Sequence, residues 1–100
     1  MVIVHNRVSA RHPELDEEDV LRAWEYSYQL RIRETDSGSR YVAVGVDSKG
    51  RELEMVAVEL AGGDMLIFHA MTPPSDETYK ELGLAKEGRR WNTRRQTGSR

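Results

Sequence analysis

The 100-residue chain contains no cysteine, which excludes a disulfide framework and any cysteine-based metal site and agrees with a reducing cytoplasm. No apolar run is long enough to cross a bilayer, and the opening MVIVHNRV lacks the apolar core of a signal peptide, so a cytoplasmic protein without membrane contact is expected. There is no Gly-rich phosphate loop, no nucleophile elbow and no HExxH zinc pattern. The three histidines, His5, His12 and His69, have no local metal-ligand spacing, so neither a metal nor a cofactor is expected. His5 and His12 flank a proline-broken segment and read as structural or incidental. No internal repeat occurs, and a chain this short buries only a modest core, so a partner or self-association would aid its stability.

Charge is unevenly spread beneath a formal net −2. Residues 86–100 hold six basic side chains against Glu87, a net +5, which leaves −7 for the rest. We therefore divide the chain into one compact domain, residues 1–85, and a basic, flexible tail, residues 86–100. The tail reads either as a solvated terminus or as a nucleic-acid arm, in which Arg89, Arg90, Arg94 and Arg95 meet phosphates and Trp91 stacks on a base. The acidic body is awkward for a nuclease and comfortable for a protein with a basic partner.

Leu15 followed by Asp16, Glu17, Glu18 and Asp19, then Val20, Leu21, Trp24 and Tyr28, predicts a helix over 16–28. Asp16 is the N-cap, the acidic first turn suits the positive helix end, and Leu15 and Val20 form a hydrophobic staple. Pro13 bars a continuous helix, leaving 5–11 at most a separate short helical turn. From Gln29 the pattern alternates, with Leu30 and Ile32 on one face and Arg31 and Arg33 on the other. Further strands follow at 41–46, 53–60 and 65–71, separated by turns at 36–39, 47–50 and 62–64. Pro73 and Pro74 stop the sheet, Ser75 offers an N-cap, and Gly83 closes a helix carrying Tyr79 and Leu82. The expected fold is α+β, a four-stranded antiparallel sheet with an N-terminal helix and a short C-terminal helix packed on one face. Its expected core is Val20, Leu21, Trp24, Leu30, Ile32, Val42, Val44, Val56, Val58, Leu66, Phe68 and Leu82. Register is least specified in 53–60, whose two faces are almost equally apolar.

Arg40-Tyr41 opening a strand, Gly45 in mid-strand, the turn ending Gly50-Arg51, the apolar run 54–58, His69-Ala70 closing the last strand, and Tyr79 on the final helix form a set. This set resembles BrnT-like toxins, a branch of the RelE-like ribonuclease toxins, over roughly residues 16–84. The resemblance implies a RelE-like fold, metal-independent RNA cleavage, and neutralisation by a cognate antitoxin, a small DNA-binding protein. Met71 departs from it, standing where these toxins often carry an arginine, and the last helix is less basic than theirs.

Such cleavage activates the ribose 2′-oxygen, holds the phosphorane's charge with cations and protonates the leaving 5′-oxygen. His69 is the candidate acid or base, since histidine alone titrates near neutrality unperturbed. On its strand it is expected to share a face with Met65, Ile67 and Met71, where it reads also as a partly buried histidine satisfied by one hydrogen bond. Arg33, Arg40 and Arg51 are the candidate phosphate ligands, and Lys80 and Tyr79 would add a cation and a proton donor. The arginines read equally as a charged sheet face paired with Glu34, Glu52 or Glu54, and Tyr79 as core. The carboxylates at 16–19 serve the helix start rather than acid–base chemistry. Two function classes stay open: an endoribonuclease toxin acting on RNA, and a catalytically inactive RelE-like module for protein binding or dimerisation.

Overall fold

The computed structural model describes residues 1–84, so the expected basic tail lies outside the described residues. The described chain is α+β, in the order β1 (Val2–Val4), α1 (Arg7–Arg11), α2 (Glu17–Glu25), β2 (Ser27–Thr35), β3 (Gly38–Val46), β4 (Glu52–Glu59), β5 (Met65–Met71) and α3 (Asp76–Glu81). The strands form one sheet in the order β1-β5-β4-β3-β2.

The start of α2 follows from its sequence. Asp16 accepts the Asp19 amide at 2.9 Å while Asp19 accepts the Asp16 amide at 3.2 Å, a reciprocal capping box. Leu15 and Val20, the staple pair, are both fully buried. The helix ends at Glu25 rather than at residue 28, because Ser27 already pairs with Gly45 on β3. Gly45 permits this junction: a Cβ there would lie 1.9 Å from the Ala23 carbonyl oxygen of α2. At the far end, Ser75 caps α3 and Gly83, at φ +73°, reverses the chain so that the Leu84 amide reaches the Tyr79 carbonyl at 2.7 Å.

Four expectations are corrected. First, the sheet has five strands and is mixed: β2 to β5 form the expected antiparallel meander, but β1 adds parallel to β5, pairing Val2 with Met65 and Val4 with Ile67. Three residues are too few to show a period, and the partner lies 63 residues away along the chain. Second, the helices cover both faces. Val8 of α1 and Val20 and Ala23 of α2 pack with Leu53, Met55, Ala57 and Ile67 on one side. Leu82, following α3, packs with Val42 and Val44 on the other.

Third, the expected core mixes these two sides. Val20, Val42, Val44 and Leu82 are buried as expected. Leu30 and Ile32 are instead 45 % and 50 % exposed, because α2 packs over β3 and β4 and leaves edge strand β2 uncovered. Leu21, Trp24, Val56, Val58, Leu66 and Phe68 are half-buried. On β4 the inward face is Leu53, Met55 and Ala57, a choice that alternation could not make between two apolar faces. Fourth, β5 carries one extra residue. Val56 pairs with His69 and Ala57 with Ile67, so Phe68 bulges out of the ladder. The strand's alternation restarts there. Met65 and Ile67 face α2, whereas His69 and Met71 sit opposite Val56 and Glu54 on the α3 face.

Candidate active site

The bulge brings His69 into the lining of a cavity of about 380 Å³. Its sheet wall is Arg33 and Thr35 from β2, Arg40 from β3, Val56 from β4 and Phe68, His69 and Ala70 from β5. α1 and the residue after it complete the lining with Arg7, Val8, Arg11 and His12. Arg7 and Arg11 stand one helical turn apart, so both reach the same side. Arg33 and Arg40 are directly opposed across the β2–β3 ladder, an arrangement of like charges that is unfavourable unless each is compensated.

Compensation differs between them. Arg33 makes a two-pronged pair with Glu81 of α3, Nε to Oε2 at 3.0 Å and Nη2 to Oε1 at 2.5 Å. This contact pushes the Arg33 guanidinium up and holds the Glu81 carboxyl below the usual carboxylate range. Arg40 instead lies over the Phe68 ring, 5.6 Å from its centroid. Among the described residues, Arg7, Arg11 and Arg40 have no carboxylate partner. The cavity therefore presents uncompensated positive charge in an otherwise acidic body.

His69 is held from behind. Its Nε2 lies 2.8 Å from Oε2 of Glu54, a β4 carboxylate only 6 % exposed. The other oxygen of Glu54 accepts the Ser75 amide and the Ser75 hydroxyl, each at 2.9 Å. Burial opposes ionisation of Glu54, but His69, Ser75 and Thr78 together outweigh it and hold the carboxyl at about 2. The double proline earns its place here: by ending β5 it turns the chain so that Ser75 caps α3 and grips Glu54 at once. Because Glu54 is ionised, His69 Nε2 carries the hydrogen and donates it. In the neutral ring Nδ1 is then the lone-pair acceptor, and it has no partner among the described residues; the side chain is 32 % exposed.

Of the residues named from the sequence, His69, Arg33 and Arg40 come together in this cavity. Arg51 lies elsewhere. Its guanidinium bonds Asp47 at 2.8 Å, Asp19 at 3.0 Å and the Glu14 carbonyl at 3.1 Å, tying the β3–β4 turn to the start of α2. Tyr79 is buried and donates to Glu52 at 2.7 Å. Lys80 is exposed in a shallow dent beside Glu77, Glu81 and Arg33. Arg89, Arg90, Trp91, Arg94 and Arg95 lie outside the described residues.

Sequence reasoning missed Glu54, weighed only as a cross-strand partner for arginines, and missed Arg7, Arg11 and His12. The four-residue spacing of Arg7 and Arg11 was the available signal for α1. His5, by contrast, has a local role: its Nδ1 accepts the Arg7 amide at 3.0 Å at the start of α1. Among the described residues no three His, Cys, Asp or Glu side chains group as metal ligands, and no helix is long and apolar enough to cross a membrane. Comparison of the chain with known protein families, with characterised proteins and with solved structures finds no match.

Proposed function

We propose that the chain is a metal-independent endoribonuclease with a RelE-like fold, the toxin of a type II toxin–antitoxin pair acting on RNA in the cytoplasm. One observation carries this reading: a carboxylate-tethered histidine with a free Nδ1 in a cavity of uncompensated arginines. His69 Nδ1 accepts the proton of the ribose 2′-hydroxyl, and the imidazolium that forms is stabilised by ionised Glu54. The 2′-oxygen attacks phosphorus, and Arg40 with Arg7 and Arg11 holds the charge that builds on the non-bridging oxygens. Arg33, fixed by Glu81, adds a positioned positive field. Phe68, already beneath Arg40, offers an apolar ring to a base.

The test is purified full-length chain incubated with RNA in the presence of a chelator. The expected products end in 2′,3′-cyclic phosphate and 5′-hydroxyl. His69→Ala and Arg40→Ala should each lower the rate by roughly 10²–10⁴ while the protein stays folded, and each should relieve growth arrest on expression. A wild-type chain that neither cuts RNA nor arrests growth overturns the proposal. The alternative, a catalytically inactive binding module, is favoured by the uncovered edge strand β2, where Leu30 and Ile32 are half-exposed. An antitoxin or a second copy of the chain could add a strand there, and under that reading neither substitution changes any activity.

A further inference from the structure

We infer that His12 is the general acid that protonates the leaving 5′-oxygen, working across the cavity from His69. This rests on the endoribonuclease reading and assigns its second proton. Among the described residues lining the cavity, the ionisable ones are Arg7, Arg11, Arg33, Arg40, His12 and His69. A guanidinium does not release its proton near neutral pH. Tyr79 spends its hydroxyl on Glu52, and Lys80 lies in the separate dent beside Arg33. His69 is already committed as the base. Histidine is the side-chain type suited to give a proton in such a step, and His12 is the one left among the described lining residues.

Its position is built rather than incidental. His12 is the C-cap of α1, its amide bonded to the Val8 carbonyl at 2.9 Å, and Pro13 follows. The two histidines thus line one cavity from different elements, His69 from β5 and His12 from the end of α1. Their tethers also differ in the sense that an acid and a base require. The partner of His69 is buried and ionised, which places the hydrogen on Nε2 and leaves Nδ1 empty. His12 has Glu14, whose side chain is 48 % exposed, 3.6 Å from Nδ1. Nε2 of His12 has no partner among the described residues. As imidazolium, His12 gives its Nε2 proton to the departing oxygen and keeps its Nδ1 hydrogen toward Glu14.

The step balances. The 2′-O–H bond breaks and its proton passes to His69 Nδ1, the O2′–P bond forms, the P–O5′ bond breaks, and O5′ takes the proton of His12. The products are a 2′,3′-cyclic phosphate and a 5′-hydroxyl, with His69 protonated and His12 neutral. Proton exchange with water after product release restores both rings.

The experiment uses full-length wild type, His12→Ala and His69→Ala on a short RNA that the wild type cuts. A second RNA of the same sequence carries sulfur in place of the bridging 5′-oxygen at that site, because a thiolate leaves without protonation. His12→Ala should slow cleavage of the ordinary RNA by roughly 10²–10⁴ and should approach the wild-type rate on the sulfur-bridged RNA. That recovery also demonstrates that the variant is folded. His69→Ala should be slow on both. If His12→Ala cuts the ordinary RNA at the wild-type rate, or if sulfur does not rescue it, His12 is not the acid and the endoribonuclease reading stands without it. If wild type cuts neither RNA, both readings fall.

Discussion

Replacing Glu54 with glutamine probes the stability of the sheet and the state of His69 together. The folded protein holds the Glu54 carboxyl at about 2 against an ordinary 4.5, and the side chain is almost fully buried. A carboxyl lowered by folding stabilises the fold above its ordinary value, and that stability is lost as pH falls through 4.5 toward 2. The size of the shift corresponds to about 3 kcal/mol. In Glu54→Gln this contribution is absent at every pH. Urea unfolding of the two proteins side by side should therefore show a gap of about 3 kcal/mol at pH 6–7 that closes toward zero near pH 2. Comparing the pair cancels other carboxylates that folding also lowers, Asp19 and Glu81 among them. The chemistry should change as well. The amide and hydroxyl of Ser75 donate to one oxygen of the carboxylate, so the glutamine must keep its oxygen there and turn its NH₂ toward His69 Nε2. That makes Nε2 an acceptor, moves the ring hydrogen to Nδ1, and removes the base, a loss of roughly 10²–10⁴ in rate. A stability gap that stays constant from pH 7 to pH 2 would show that Glu54 is not held as described.

Gly45→Ala should be among the most damaging single-methyl additions, because the new Cβ meets the Ala23 carbonyl, backbone that can move only by lifting α2 off the sheet. A loss of about 2–3 kcal/mol, or roughly 10–20 °C in Tm by differential scanning calorimetry, is expected; an unchanged Tm would refute the close approach. Arg51→Ala leaves Asp47, whose side chain is fully buried, without its cation and Asp19 with Lys49 alone, and should cost about 2–4 kcal/mol in urea unfolding. RNA cleavage by the folded fraction should be retained, and its loss would return Arg51 to the site. Leu30→Ser and Ile32→Ser, on the uncovered strand, should each change stability by less than about 1 kcal/mol. A larger loss in the isolated chain would mean that β2 is covered.

The local elements of this protein were written in short stretches of sequence. Asp16 to Val20 specify the start of α2 through a cap, a capping box and a staple, all made within one helical turn. The tight turns at 47–50 and 62–64 specify the meander, and Ser75 with Gly83 bounds α3. His69, Arg33 and Arg40 were legible as chemistry-bearing residues because their side-chain types suit proton transfer and phosphate binding. What could not be read locally is whatever depends on contacts between distant segments. The parallel seating of β1 on β5 joins segments 63 residues apart through three residue pairs. The choice of inner face on β4 depends on where α2 lies, since both faces are apolar enough to be buried. The bulge at Phe68 is a mismatch between two strands, invisible in either alone, yet it alone turns His69 away from Ile67 and toward Glu54. Glu54 itself looked like an ordinary strand carboxylate; only the tertiary fold buries it against His69, Ser75 and Thr78, whose hydrogen bonds together outweigh burial and keep it ionised.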